Sequence, residues 1–258
     1  MRLNTMHAIE LEKHELGAYR HAIETVSQPC IVGSPSDANT DSYFGGMPTV
    51  DRDFTWPLKN GYPLDFVGQL KCSELDLLRI DTGYLLFFYD NRHWGDLPKD
   101  HGHAVVLRQH GERQANESDL PECDITSLFG LLKRTVKPKV YAKVNVTFEN
   151  SCSYPSWERQ LISFDSDLWE EEYMEFCYDI QPLIQLGGYP CPIQSDTMEQ
   201  DCINAIQYGQ PQDWRLLLQL FEVGDMMWGD AGALYWFIHK DDLHASRFDR
   251  VWMVSQCH

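Results

Sequence analysis

The amino-acid sequence predicts an α+β fold with a mainly antiparallel sheet, built from two duplicated halves and an N-terminal helix. Helical and strand patterns are mixed along the 258 residues, but clean strand–helix–strand crossovers are few. One order of turn and strand motifs also occurs twice. Because 43% of the residues are hydrophobic and 12% are aromatic, the chain has enough apolar surface to form a core. We therefore expect a single domain over 1–258, with related halves at about 30–150 and 151–258.

An amphipathic helix precedes the first half. Apolar residues recur at spacings of three, four and seven over 5–26, and Gln28-Pro29 ends this helix. A short strand at 30–32 and a polar loop at 33–40 follow. The apolar run at 84–89 predicts a buried strand, and 103–107 predicts a shorter one. Alternating apolar residues predict another strand over 136–148, with Val140 and Ala142 on its apolar face.

The second half contains two predicted helices and three predicted strands. The first helix, over 157–177, is heavily acidic and has Leu161 and Leu168 on its inner face. The second helix covers 197–208, with Asp196 as its N-terminal cap and Gly209 at its end. Strands are expected at 215–221, 234–238 and 251–256.

A set of motifs occurs in the same order in both halves, which indicates duplication. Each half has a Gly-Gly-x-Pro turn, then an apolar strand with a glutamine, then an aromatic strand that begins with glycine. These motifs lie at 45–48, 66–70 and 83–88, and again at 187–190, 216–220 and 232–237. From Gln69 to Gly83 there are 14 residues, and from Gln219 to Gly232 there are 13. The shared order and the nearly equal spacing favour duplication over chance.

Charge is unevenly distributed along the chain, whose formal net charge is -18. Between 156 and 230 there are 15 acidic residues, and the only basic ones are Arg159 and Arg215. Such a surface repels phosphate backbones, so we do not expect a nucleic-acid partner. It would attract a basic protein partner and speed the encounter. The alternative is a solvated acidic face that only aids solubility.

Cysteine usage and the lack of targeting signals indicate a cytoplasmic protein. The 8 cysteines are scattered and form no CxxC pair, which is typical of reduced thiols rather than a disulfide framework or zinc site. The N-terminus has no signal-peptide pattern, and the longest apolar run is too short to cross a membrane. We expect no metal, no cofactor and no membrane association.

Histidines form two groups that we considered as metal sites. His7, His14 and His21 recur every seven residues on one helix face, about 10 Å apart, which is too far to share one ion. We therefore expect a solvated stripe. The second group has nearby acidic residues and consists of His93, His101 and His103. His-x-His on a strand can hold a metal, but an exposed loop is the interpretation we favour.

No catalytic motif is present: we find no nucleophile elbow, Walker loop, dinucleotide fingerprint or HExxH. The segment 224–232 is the most unusual candidate, because it places Asp225, Trp228 and Asp230 among glycines. Two acids beside an aromatic ring can bind a cation or a sugar, or perform acid–base chemistry. The alternative is a turn from which the methionines and Trp228 pack inward.

A family resemblance becomes specific at a series of motifs along most of the chain. They are Phe44-Gly45-Gly46-Met47-Pro48, Trp56-Pro57, Gly61–Leu70, Gly188-Tyr189-Pro190, Leu217–Leu220, Met227–Gly232 and Arg250–Cys257. In these motifs the chain resembles the YwqG-like family of bacterial proteins, from about residue 30 to the C-terminus. The family has no known activity, so the resemblance implies no catalytic residues. Because its members often occur near secreted-toxin loci, it implies an immunity role.

The leading hypothesis is a non-enzymatic cytoplasmic binding protein, an immunity-type inhibitor of a basic toxin. Its candidate binding residues on the acidic helix are Glu170, Glu171 and Glu172. The alternative is an enzyme or small-ligand binder with its site in a cleft between the halves, near Trp56 and 225–230. A broad acidic face would favour the inhibitor, and a cleft with converging polar groups would favour the enzyme.

Overall fold

The computed structural model describes residues 5–76, 80–93, 97–127 and 132–258. Within these ranges the α-helices are α1 (Thr5–Lys13), α2 (Arg20–Val26), α3 (Asp167–Asp179), α4 (Met198–Ile206) and α5 (Lys240–His244). The strands of the first half are β1 (Gln28–Pro35), β2 (Tyr43–Phe44), β3 (Thr49–Val50), β4 (Leu58–Lys59), β5 (Tyr62–Pro63), β6 (Asp65–Lys71), β7 (Tyr84–Tyr89), β8 (Ala104–Gln109), β9 (Arg113–Gln114), β10 (Cys123–Ser127) and β11 (Leu132–Val136). Those counted with the second half are β12 (Val144–Ser153), which begins before the expected boundary at about 150, β13 (Ile184–Leu186), β14 (Trp214–Leu220), β15 (Ala233–His239) and β16 (Trp252–Gln256). None of the described helices is long and apolar enough to cross a membrane.

Ten strands form one sheet in the order β16-β15-β14-β13-β1-β12-β2-β6-β7-β8. Every neighbouring pair is antiparallel, which confirms the predicted α+β class with a mainly antiparallel sheet. Each half contributes a four-strand meander, and β1 and β12 lie side by side between the two meanders. Both neighbours of β1 therefore come from the second half of the chain.

The sheet is nearly closed into a barrel, and its two edge strands meet at His103. This residue immediately precedes β8, and its Nε2 lies 3.1 Å from the carbonyl oxygen of Met253 on β16. A barrel-like arrangement leaves little of the sheet edge open for pairing with another chain. Closure also explains why the largest hydrophobic cluster draws side chains from both meanders.

The most apolar strands are buried on both faces. In β7, Leu85 and Phe87 belong to the central cluster, whereas Leu86 and Phe88 point to an outer cluster. In β15, alternate residues likewise divide between the central cluster and one covered by α4. This explains the continuous apolar runs at 84–89 and 234–238, because an alternating pattern requires one solvated face.

The predicted N-terminal helix over 5–26 is interrupted. Glu15 adopts a left-handed conformation with φ of 55°, and a 3-10 turn at Leu16–Tyr19 separates α1 from α2. The break folds α1 back toward α3, where Leu11 and Leu16 pack with Tyr173 and Phe176. A solvated histidine stripe was therefore wrong for His7 and His14, which are buried.

Two other predicted elements differ from the structure. The helix expected over 157–177 begins only at Asp167, because Gln160 is left-handed and the amide of Asp165 is taken by the hydroxyl of Tyr19. Leu161 and Leu168 are consequently exposed rather than inward-facing. The strand expected over 136–148 begins only at 144. Before it, the Tyr141 carbonyl accepts from the Gly46 amide of the Gly-Gly turn, and the Ala142 amide donates to Asp225.

Glutamine side chains fix the chain that follows each Gly-Gly turn. In the first half, the Thr49 amide donates to Gln69 at 2.7 Å and the Asp51 amide donates to Gln109 at 2.9 Å. In the second half, the Cys191 amide donates to Gln219 at 2.7 Å and the Ile193 amide donates to Gln256 at 2.9 Å. The turns need glycine: a Cβ at Gly45 would lie 2.2 Å from the carbonyl oxygen of Ala142.

Candidate functional site

Three adjoining cavities lie along α3, and we call them together the α3 groove. The central cavity has a volume of about 370 Å³, the cavity toward the start of α3 about 330 Å³, and the one beyond its end about 220 Å³. Ser156 and Trp157 line both the central and the first cavity. His7, Val32 and 180–182 line both the central and the last cavity. The shared walls place the three cavities next to one another.

One side of α3 forms the length of the groove. Glu170 and Tyr173 line the first cavity, and Met174, Cys177 and Tyr178 line the central one. These positions are separated by three, four, seven and eight residues from Glu170, so they share a helix face. The acidic helix that the sequence singled out is therefore the helix that bears the groove.

Exposed apolar side chains are concentrated along this groove. The large apolar residues that both line it and are exposed are Met6, Trp157, Leu161, Met174, Tyr178 and Leu183. Tyr178 is the most open of them, with 72% of its surface exposed. A contiguous apolar patch rimmed by polar groups is typical of a surface that binds another molecule.

Acidic residues surround the apolar patch. The carboxylates that line the three cavities are those of Glu10, Glu149, Glu158, Glu170 and Asp179. Glu171 and Glu175 are exposed on the same helix, and no ion pair within the described ranges neutralises either of them or Glu170. The groove therefore combines unpaired acidic side chains with exposed apolar ones.

The wall formed by 190–194 is fixed by buried side chains. The amides of Cys191 and Ile193 donate to the glutamines described above, and the Tyr235 hydroxyl donates to the Cys191 carbonyl at 2.7 Å. Gln219, Gln256 and Tyr235 are all buried. Three buried side chains thus bond the backbone of this segment, so this side of the central cavity is preformed.

The opposite wall, 155–160, is held by Asp196. Its carboxylate accepts from the Ser156 hydroxyl and from Nε of Arg159, each at 2.6 Å, and its side chain has no exposed surface. The Tyr173 hydroxyl donates to the Pro155 carbonyl at 2.8 Å. Asp196 was expected to cap α4, and that expectation was wrong: Thr197 occupies the cap position and its side chain makes no capping bond.

The N-terminal wall comes from α1 and depends on two histidines. Nδ1 of His7 lies 3.1 Å from the Tyr154 hydroxyl. His14 lies 3.1 Å from Glu172 through Nδ1 and 3.0 Å from Asp179 through Nε2, so each ring nitrogen faces a carboxylate of α3. These contacts join α1 to α3, and they give Glu172 a structural role that its exposed neighbours lack.

Glu10, His14 and Asp179 bring three potential metal-ligand atoms close together. Lys13, however, already bonds the carboxylates of both Glu10 and Asp179. A positive charge is thus supplied by the chain itself at this position. The arrangement serves as a contact between helices, and it needs no ion to balance its charge.

Three cysteines line the central cavity, and all eight in the chain are free. The lining cysteines are Cys152, Cys177 and Cys191. Burial raises the pKa of Cys177 to about 12 and that of Cys191 to about 11. Their thiols are therefore neutral near pH 7, which makes them apolar wall groups rather than nucleophiles or metal ligands.

The remaining predicted site residues lie away from the groove. The Trp56 indole donates to the Leu64 carbonyl at 2.8 Å, and the Trp228 indole donates to the Phe221 carbonyl at 3.2 Å. Both rings are buried, in different hydrophobic clusters. Asp225 accepts from the Ala142 amide at 2.9 Å, and Asp230 is exposed. The structure does not bring these four residues together around any of the three cavities.

A second polar cluster lies where the sheet closes. His103 is buried, which the expected exposed loop did not anticipate, and burial lowers its pKa to about 4. Nδ1 of His103 and Nζ of Lys59 both approach the Asp100 carbonyl, at 2.9 and 2.6 Å. Nδ1 of His93 lies 3.3 Å from Asp100, and Asp96 lies outside the described residues. Within the described part of the chain these contacts connect loops, and no cavity opens onto them among the three above.

Sequence reasoning identified the acidic helix but missed the other walls. The residues it missed come from α1, from 152–160 and from 190–194, which are far apart in the chain. One signal was available: Met174 and Tyr178 are four residues apart among acids, a spacing that places both on one helix face.

Comparison with known proteins gives a family but no activity. No curated protein matches the chain. A domain of unknown function, DUF1963, matches residues 42–257. This range includes α3, 152–160 and 190–194, whereas α1 lies before it. Since the match covers most of the sequence, the chain belongs to the DUF1963 family of domains of unknown function.

Proposed function

We propose that this protein binds a basic segment of a partner protein in the α3 groove and acts as an inhibitor of the immunity type, with a basic toxin as partner. The observation that carries the proposal is the coincidence of exposed apolar side chains and unneutralised acids on one preformed surface. A basic amphipathic segment offers the complementary chemistry, with apolar groups for the floor and cations for the rim.

The size of α3 sets the size of the segment. A helix of 13 residues is about 20 Å long. A bound helix of similar length, or about six extended residues, would span it. Attraction between opposite charges also speeds association, and salt screens that attraction within about 10 Å at 0.1 M.

Fluorescein-labelled 12-residue peptides provide the test, with lysine and arginine placed around a few apolar residues. A second peptide carries glutamate in place of every basic residue, and a third carries serine in place of every apolar one. Fluorescence anisotropy and stopped-flow mixing at about 50 and 300 mM salt would give affinities and association rates. We expect only the basic amphipathic peptide to bind, with a slower association at higher salt.

A matched pair of triple variants locates the binding surface. The test variant is Glu170→Gln, Glu171→Gln, Glu175→Gln, which removes three exposed acids of α3. Glu172 is left intact because it contacts His14. The control is Asp37→Asn, Asp53→Asn, Glu117→Gln, which removes three exposed acids elsewhere. The first should slow association about tenfold and the control should not; equal behaviour of the two would contradict the proposal.

We further propose that the two halves arose by duplication. Support comes from hydrogen bonds that correspond between the halves. Gln69 and Gln219 each accept from a backbone amide after a Gly-Gly turn, and Gln109 and Gln256 each accept from an amide two residues further on. A second parallel spans each Gly-Gly turn. The Tyr43 hydroxyl donates to the backbone carbonyl of Met47, and the side-chain amide of Gln185 donates to that of Tyr189, in each case four residues later. Removal of equivalent glutamines should have equivalent local effects, and an effect in one half alone would argue against duplication.

Three further parts of the hypothesis stay proposals. Within its family we place the chain among the YwqG-like proteins, on the motifs quoted above, and in the cytoplasm, on its free thiols. The alternative function, an enzyme or small-ligand binder between the halves, has its own test. A neutral ligand that changes tryptophan fluorescence in the parent protein but not in a Trp228→Phe variant would support it.

A further inference from the structure

The central cavity of the α3 groove is lined by an unusual number of sulfur atoms, and we infer that it receives one aromatic side chain of the bound segment. The inference rests on the proposed function and adds what the basic segment must carry. It concerns specificity: charge on the rim attracts the segment, and the aromatic anchor selects it.

The wall chemistry favours an aromatic ring. Cys152, Met174, Cys177 and Cys191 all line the cavity. The thiols are protonated because burial raises their pKa, so the wall offers polarizable, uncharged sulfur. Sulfur makes favourable contacts with aromatic rings, at about 5 Å and often at the ring edge.

The size and the mouth of the cavity also fit a ring. An apolar cavity of about 150 Å³ is enough to hold benzene, and the central cavity has about 370 Å³. Val32 and Ile180 add aliphatic surface to its walls. Trp157 and Tyr178 line it while remaining partly exposed, so they are placed to pack against a ring that enters from solvent.

The surroundings favour an aromatic residue within a chain over a free aromatic molecule. The central cavity shares a wall with a neighbour on each side. Glu158 lines the central cavity itself, Glu170 lines one neighbour and Glu149 lines the other. A ligand that occupies all three cavities is elongated and is cationic on both sides of its aromatic group.

The peptides that test this differ at one central residue. Each has lysine and arginine on both sides, and the central residue is phenylalanine, leucine or serine. We expect the phenylalanine peptide to bind most tightly, and replacement by serine to weaken binding about 10- to 100-fold. In protein with methyl-labelled methionine, the Met174 signal should shift upfield only with the phenylalanine peptide, because an aromatic ring then lies against it.

Met174→Glu separates anchoring from charge. It places a carboxylate at the cavity wall and raises the negative charge of the groove. If binding were purely electrostatic this variant would bind more tightly, whereas an aromatic anchor predicts weaker binding of the phenylalanine peptide. Met227→Glu is the control, since Met227 is exposed and lines none of the three cavities. It should not weaken binding.

Each result decides between the two proposals. Equal affinity of the phenylalanine and serine peptides, with the α3 triple variant still impaired, would overturn the aromatic anchor and leave the basic partner standing. Binding of no peptide would overturn both. Binding of free indole in place of every peptide would also overturn the anchor, because the cavity would then take a small molecule.

Discussion

At the scale of single residues, the buried His103 and the partly buried Asp65 affect stability in opposite directions. Burial lowers the pKa of His103 from its ordinary 6.5 to about 4. Between these values the unfolded chain binds a proton that the folded chain does not, so stability is lost as pH falls. Burial raises the pKa of Asp65 from 3.8 to about 6. Here the folded chain binds the extra proton, so stability is gained as pH falls through the same range.

Two substitutions should separate these effects. His103→Gln keeps one side-chain donor for a carbonyl. It also removes the titrating ring, which lowers the free energy of unfolding by about 3 kcal/mol when the pH falls from 6.5 to 4. Asp65→Asn keeps the acceptor used by the Lys139 amide. It removes the gain in stability that the protonation of Asp65 gives as the pH falls. Urea unfolding at pH 7 and 4.5 should show a shallower pH dependence for the histidine variant and a steeper one for the aspartate variant. Curves parallel to that of the parent protein would show that neither group titrates as described.

At the scale of elements, glutamine side chains accept hydrogen bonds from the chain after each turn. The backbone amides of 191 and 193 donate to Gln219 and Gln256, just as those of 49 and 51 donate to Gln69 and Gln109. An unsatisfied buried donor costs about 1–3 kcal/mol. The same contacts position one wall of the α3 groove, which connects the fold to the site.

Loss of one glutamine pair should loosen only its own segment. In a Gln219→Ala, Gln256→Ala variant, the amides of Cys191 and Ile193 should exchange with solvent about 10- to 100-fold faster. Those of Thr49 and Asp51 should be unchanged, and peptide binding should weaken because the wall moves. Gln69→Ala, Gln109→Ala is the control, with the reverse exchange pattern and normal binding. Uniform acceleration in both segments would mean that the pairs support the whole fold rather than local chain.

At the scale of the whole molecule, the halves are interleaved. β1 pairs with β12 and β13, and β12 pairs with β1 and β2. The first strand of each half therefore lies between strands of the other half. Neither half has a complete sheet by itself, which is the physical basis for treating the chain as one folding unit.

Cutting the chain between Val136 and Lys137 tests this arrangement, because exposed backbone follows β11 at that point. We expect fragments 1–136 and 137–258 to show no cooperative unfolding alone, since each lacks the neighbours of its first strand. Mixing them should restore a single cooperative transition and the near-ultraviolet circular dichroism of the intact protein. A fragment that folds alone would instead indicate two separable domains.

The class of fold, the strongest strands and the acidic helix could be predicted from the amino-acid sequence. Runs that are buried on both faces, such as 84–89 and 234–238, leave a pattern that depends on few other choices. Short spans were less predictable: Leu161 and Leu168 fit a helical repeat, yet the Tyr19 hydroxyl and the left-handed Gln160 delay the start of α3. Contacts between residues that are far apart in the sequence cannot be predicted from a local periodic pattern.

Only the tertiary structure decided where the candidate site lies. The groove joins His7, Trp157, Met174 and Cys191, which come from separate segments brought together by the interleaved sheet and the backward turn of α1. In the folded chain Trp56 and Trp228 lie in the core, although their neighbours in the sequence suggested a ligand site. A sequence records which side chains a segment offers. Which of them face one another depends on pairing over long separations, and that pairing is fixed by the packing of the whole chain.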